Sequence, residues 1–158
     1  MQAHESVHGG RPGSPRKQIK AAAPTRRRRP AVVLLEDDDD LRLVSAEVLR
    51  AAGFEVTECP TLVAAFVALR SGPVPDILLL DRELPDGSGL DLARWVRRRP
   101  SFDRVSVIGF SGRKTAGDVE AALAAGCDAF VGKPCAPATL VAKIEATSDA
   151  RRRSGDRP

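Results

Sequence analysis

Asp76-Ile77-Leu78-Leu79-Leu80-Asp81 is the stretch on which the fold turns: four large aliphatic residues in a row, closed by a carboxylate. A run this short and this uniformly apolar fits a strand covered on both faces, because a strand with one wet face alternates polar with apolar side chains. Ala31-Val32-Val33-Leu34-Leu35 has the same character and is likewise closed by acid, Glu36-Asp37-Asp38-Asp39-Asp40. Two such runs predict a parallel sheet buried between layers of helices.

Outward from these runs, short apolar segments alternate with longer amphipathic ones. Asp38 to Ala52 spaces Leu41, Val44, Val48 and Leu49 as one helical face, and Gly53 stops it. Phe54 to Thr57 alternates as a second strand. Thr61 to Arg70, with Leu62, Phe66 and Leu69, forms a second helix closed by Gly72 and Pro73. Leu90 to Arg98 is a third helix, with Trp95 in its core-facing set. Val105 to Phe110 makes a fourth strand, Lys114 to Ala125 a fourth helix stopped by Gly126, and Ala129 to Val131 a short fifth strand. Pro137, suited to a first helical turn, opens a fifth helix to Thr147. This alternation predicts an α/β, doubly wound domain: a five-stranded parallel sheet flanked by five helices. No internal repeat is present.

The formal charge of +4 conceals a division along the chain. Residues 1–30 carry eight Lys or Arg against one Glu, including the run Arg26 to Arg29, and residues 147–158 carry four Arg against two Asp. The segment between them has 13 bases and 18 acids. Residues 1–30, rich in Gly and Pro and poor in large apolar side chains, cannot bury enough surface to offset their ordering entropy and are expected to be a disordered basic tail. Residues 148–158 are read as a second, short basic tail. Arg26 to Arg29 reads first as a solvated charge run, and contact with nucleic acid, an acidic protein or a membrane surface is the alternative.

No window approaches the ~18 consecutive apolar residues of a membrane span, and the start lacks the apolar stretch of a secretory signal, so a cytoplasmic location is expected. Cys59, Cys127 and Cys135 have neither metal-ligand spacing nor an even count, and are expected to be reduced, half-buried small hydrophobes.

In a doubly wound sheet the functional groups gather at the carboxyl ends of the strands. The strands here end in Glu36 and Asp37, in Asp81, in Ser111 and Gly112, and in Lys133 and Pro134. Clustered carboxylates repel one another, and a hard divalent cation such as Mg²⁺ relieves that repulsion. A carboxylate in such a site can act as a nucleophile toward phosphorus, with an ammonium neutralising the developing oxygen charge and a hydroxyl bonding the new phosphoryl oxygens. The set is suited to forming an aspartyl phosphate.

These residues resemble the receiver domain of two-component response regulators, over about residues 31–147 and through four motifs in order. VVLLEDDDDLR resembles the first strand with its acidic pair at Glu36 and Asp37, with Arg42 in the helix beyond. PDILLLDRELPDGSGLDL resembles the phosphoacceptor strand and loop, with Asp81 as acceptor and Pro85, Gly87 and Gly89 following. VIGFSG places Ser111 at the switch hydroxyl, and GCDAFVGKP places Phe130 at the switch aromatic and Lys133 at the family's lysine. The resemblance implies the flavodoxin-like strand order 2-1-3-4-5 and a mechanism. Asp81 would accept a phosphoryl group from a histidine kinase or phosphotransfer protein. Mg²⁺ would be held by Asp37, Asp81 and the Glu83 backbone carbonyl, with Glu36 acting mainly through water. Lys133 would pair with the phosphoryl group, Ser111 would approach it, and Phe130 would turn inward. That would alter the face of the fourth helix, fifth strand and fifth helix for an unidentified downstream protein. Such a chain catalyses only its own phosphorylation and dephosphorylation, and with no output domain after the fifth helix it would act by docking or phosphorelay.

Gly109, Gly112, Cys135, Arg82 and Arg113 depart from the family's usual pattern. The glycines predict a looser fourth strand and loop, and the arginines beside Asp81 and Ser111 predict an altered lifetime of the phosphorylated state. Two alternatives use the same residues: a Mg²⁺-dependent phosphohydrolase, which would want an Asp where Glu83 stands, and a receiver-like binding module independent of phosphorylation.

Overall fold

The computed structural model describes residues 28–155. The proposed basic tail therefore lies outside the described residues, apart from Arg28 to Pro30. The elements, in chain order, are β1 (Ala31–Leu35), α1 (Asp39–Ala51), β2 (Glu55–Cys59), α2 (Leu62–Ser71), β3 (Ile77–Leu80), β4 (Glu83–Leu84), β5 (Gly87–Ser88), α3 (Gly89–Arg97), β6 (Ser106–Ser111), α4 (Ala116–Ala124), β7 (Ala129–Gly132) and α5 (Pro137–Gly155). A 3₁₀ turn at Pro100–Phe102 joins α3 to β6.

Five strands form one parallel sheet in the order β2-β1-β3-β6-β7, the doubly wound order expected. Its register aligns Leu35 with Cys59 and Leu80, Leu80 with Gly109, and Ser111 with Gly132, so the strands end nearly level. The uninterrupted apolar runs follow from this arrangement, because successive side chains in a strand face opposite ways. Val33, Leu35, Leu78, Leu80 and Val107 pack with α2, α3 and Ala122 of α4. Val32, Leu34, Ile77, Leu79, Ile108 and Phe110 pack with Ala46 and Leu49 of α1 and Leu140 and Ile144 of α5. Trp95 joins the first of these cores, its ring edge-on to Phe66 and tilted against Phe102. Cys59 and Cys127 are buried, and burial pushes their thiols up to about 11 and about 12, so both stay protonated.

Three expectations about the elements need correction. In α1 the core-facing residues are Ser45, Ala46 and Leu49, whereas Val44 is 55% exposed. Small side chains at Ser45 and Ala46 face the core, and Val44 is turned toward solvent. The loop after Asp81, for which no strand was expected, contains a short antiparallel pairing, Glu83 with Ser88 and Leu84 with Gly87. The fifth helix does not stop at Thr147 but runs to Gly155. Ser148 is buried in it, and Arg151 donates to the Asp103 carbonyl at 2.9 and 2.6 Å and to Asp128 Oδ1 at 2.7 Å. Of the residues read as a tail, Arg151 is thus held by partners distant in sequence.

Candidate functional site

The level strand ends bring Glu36, Asp81, Ser111 and Lys133 to one edge of the sheet. Glu36 directly follows β1 and is 1% exposed; Asp81 directly follows β3 and is 8% exposed; Ser111 closes β6 and is also buried. Asp37 stands beside them in the open. One carboxylate oxygen from each of Glu36, Asp37 and Asp81 lies within 4.8 Å of the others.

The residues that follow the strands set these positions. Asp38 caps α1 by accepting from Leu41 N at 2.8 Å, which turns the chain sharply after Asp37. Arg42, one turn into α1, donates to the Glu36 carbonyl at 2.9 Å and pairs with Asp39. Asp39 and Asp40 sit in the first turn of α1, where their charge favours the helix dipole. Gly89 runs so close to the phosphoacceptor candidate that a Cβ there would lie 1.9 Å from the Asp81 carbonyl oxygen.

Lys133 Nζ is 2.9 Å from Asp81 Oδ2 and is also paired with Glu36 Oε2. Its backbone N–H donates to the Ser111 carbonyl at 2.9 Å, which binds the end of β7 to the end of β6. Burial pushes the Glu36 carboxyl above its usual range, and the Lys133 ammonium opposes that rise by bonding and charge. The Glu83 backbone N–H donates to Asp81 Oδ1 at 3.3 Å, so its main chain is next to the carboxylate. Ser111 Oγ accepts from the Arg113 N–H at 3.3 Å.

Phe130 is half-buried on β7. Its Cδ2 lies 3.0 Å from where a Cβ on Gly109 would be, with Ala122 Cβ 3.6 Å from the same point. The space a side chain at Gly109 would take is occupied by the Phe130 ring, and β6 is buried along its whole length. Cys135 packs against the core between the sheet, α1 and α5.

Sequence reasoning missed two ion pairs across the site's rim. Arg82 NH1 is 2.5 Å from Asp118 Oδ1, and Arg113 Nε is 3.1 Å from Glu83 Oε1. The spacing Thr115-x-x-Asp118 was a readable sign of a helix cap, but nothing local pairs Asp118 with a residue 36 positions earlier. It also missed Asp86, whose carboxylate accepts from Leu62 N and Val63 N, each at 2.9 Å, and so caps α2 from a different loop.

A buried carboxylate thus stands beside an ammonium and two further carboxylates at the carboxyl edge of the sheet. A family model described as the response regulator receiver domain matches residues 32–145. The chain belongs to the response regulator receiver domain family. Receiver domains are parts of signalling switches rather than catalysts of turnover. This receiver is 36% identical over 98 residues to the phosphate regulon transcriptional regulatory protein PhoB of Rhizobium meliloti, covering 62% of this chain and 43% of that one. It is 26% identical over 99 residues to the polar-differentiation response regulator DivK of Brucella ovis, covering 63% of this chain and 80% of that one. The receiver thus spans less than half the length of the PhoB relatives it matches. Among solved structures, the chemotaxis response regulator CheY4 of Vibrio cholerae superposes with a TM-score of 0.71 at 18% identity, covering 76% of this chain and 99% of that one. A CheY-like receiver domain protein of Methanospirillum hungatei gives 0.72 at 23% identity, covering 80% and 99%. At these identities the likeness is one of fold. Among the described residues, no helix is long and apolar enough to cross a membrane.

Proposed function

We propose that this receiver is switched by phosphorylation of Asp81 in a Mg²⁺-dependent reaction with a histidine kinase or phosphotransfer protein, in the cytoplasm. The observation that carries the reading is Lys133 Nζ, 2.9 Å from Asp81 Oδ2 and held at the same time by Glu36. An ammonium beside Asp81 would neutralise the charge that gathers on a phosphoryl group transferred there.

In the reaction, an Asp81 carboxylate oxygen forms a bond to phosphorus as the bond from phosphorus to the donor breaks, and the donor leaves with that electron pair. Glu36, Asp37 and Asp81 offer hard oxygen ligands within 4.8 Å of one another, a set that fits Mg²⁺, and the Glu83 backbone carbonyl would complete it. When bound, the ion would supply charge neutralisation for the transferring oxygens. Asp37, being exposed, would leave room for waters on such an ion. Ser111 Oγ, engaged among the described residues only by the Arg113 N–H, is free to donate its own proton to a phosphoryl oxygen. Such a shift, with Phe130 pressed on Gly109, would change the face formed by α4, β7 and α5 and so the affinity for a downstream protein. A phosphohydrolase finds less support, since Glu83 is largely exposed and turned to Arg113 rather than toward Asp81.

The test is intact-mass analysis of the full chain after incubation with a small-molecule phosphodonor and Mg²⁺. One added phosphoryl group is expected, absent from Asp81→Asn and strongly reduced in Lys133→Ala and after chelation of the metal. Incorporation that persists in Asp81→Asn would overturn the assignment.

A further inference from the structure

The two rim ion pairs join the loop after β3 to the segment before and within α4, and they are not equivalent. Glu83 and Arg113 have side chains 63% and 60% exposed, so water and salt screen them strongly. Arg82 and Asp118 are 31% and 13% exposed, at 2.5 Å. Asp118 uses its other oxygen for its own helix: Oδ2 accepts from Thr115 N at 3.1 Å and from Thr115 Oγ1 at 2.6 Å, while Asp118 N donates to Thr115 Oγ1 at 3.2 Å. One carboxylate therefore caps α4 and ties it to the residue after Asp81.

This helix depends on such a tie more than its neighbours do. Of the nine residues Ala116–Ala124 only Ala122 is buried, and the largest apolar one, Leu123, faces solvent. By comparison α3 buries Leu90, Leu92, Ala93 and Val96 over the same length. Burying a large aliphatic side chain contributes about 1.5–3 kcal/mol and a methyl far less. Apolar packing therefore holds α4 on the sheet less firmly than it holds α3, and the Arg82–Asp118 pair adds a polar tie at its first turn.

We propose that Arg82 is a positioning residue that reports the charge at Asp81 to α4. With Asp81 unmodified, the guanidinium holds Asp118 and keeps the first turn of α4 against the phosphoacceptor loop. Phosphorylation replaces the single negative charge of the Asp81 carboxylate with a phosphoryl group carrying up to about two, one residue before Arg82. The guanidinium, a bidentate partner for phosphate, then leaves Asp118, and α4 is released from the loop. This inference rests on the reading of Asp81 as phosphoacceptor.

Hydrogen exchange of the α4 amides, measured on the full chain with and without phosphodonor and Mg²⁺ and with stoichiometry read by intact mass, tests it. Phosphorylation of the unsubstituted protein is expected to raise exchange over residues 116–124 about three- to tenfold, as for local opening made easier by loss of one partly buried ion pair. Arg82→Ala is expected to show the raised exchange before phosphorylation and almost no further increment after it. Asp118→Asn, which keeps an acceptor for Thr115, is expected to behave like Arg82→Ala. If the phosphorylation-dependent increment survives intact in Arg82→Ala, the pair is only structural and the proposal is overturned. Unchanged exchange in unphosphorylated Arg82→Ala would overturn it as well. If the unsubstituted protein gains no phosphoryl group, the reading of Asp81 fails and the relay with it, an outcome that the unphosphorylated comparison keeps distinct from failure of the tie.

Discussion

Lys133 shows what one side chain does in a crowded acidic site. Its ammonium lies between Glu36 and Asp81, and without it Glu36, 1% exposed, would face its neighbours' charge with no counter-ion. The close approach of Gly89 to the Asp81 carbonyl is as demanding in a different way, since no side chain fits in that space. Gly89→Ala is expected to force the loop away from Asp81, destabilising the fold by about 1–3 kcal/mol as an overpacked contact does, with a fall in the rate of phosphorylation. Urea denaturation and the mass assay would measure the two effects, and an unchanged midpoint with unchanged incorporation would refute the contact. At this scale most of the site was legible, because Glu36, Asp37, Asp81, Ser111 and Lys133 each stand at the end of an apolar run. Arg82 with Asp118 and Arg113 with Glu83 were not, because an ion pair between distant segments leaves no periodicity in either.

Among the elements, α2 and α4 are held at their first turns by carboxylates. Asp86 reaches α2 from the β4–β5 turn, and the two backbone N–H bonds it accepts hold its carboxyl below the usual range. A carboxyl with a lowered folded value contributes its stability in full above the unfolded value of 3.8 and loses it as the pH falls through the folded one. Denaturation midpoints measured from neutral pH downward should therefore fall at the acid end, and Asp86→Ala should flatten that limb while lowering the neutral plateau. An acid limb identical in Asp86→Ala would show that other groups carry it. The existence and type of every main element were readable, because strand runs and helical faces have distinct periods. Which face of α1 meets the sheet was not. Val44 fits the helical spacing of an apolar stripe, yet Ser45 and Ala46 face the core in its place.

For the whole molecule, the last two turns of α5 join parts far apart in sequence. Arg151 and Arg97 share Asp128, and Arg151 also reaches the Asp103 carbonyl, so the helix end braces the loops before β6 and β7. Ending the chain after Thr147 is expected to cost about 1–3 kcal/mol through the lost charge-assisted bonds, with a lower melting temperature but phosphorylation retained. An unaltered melting temperature would show that these turns are peripheral. The two basic ends also meet: Arg28, Arg29 and Arg152 line one cleft with Pro30 and Asp76, at the end of the sheet opposite Asp81. By itself the sequence determined the order of strands and helices, the double burial of the sheet and the acidic, hydroxyl and ammonium groups of the site, since these follow from local pattern and from the rule that strands end at the functional edge. Only the tertiary structure decided that residues 148–155 are helix, that Gly109 seats the Phe130 ring, and that Arg82 pairs with Asp118. Each of those depends on a partner tens of residues away, and a contact across such a distance exists only once the chain has closed around its sheet.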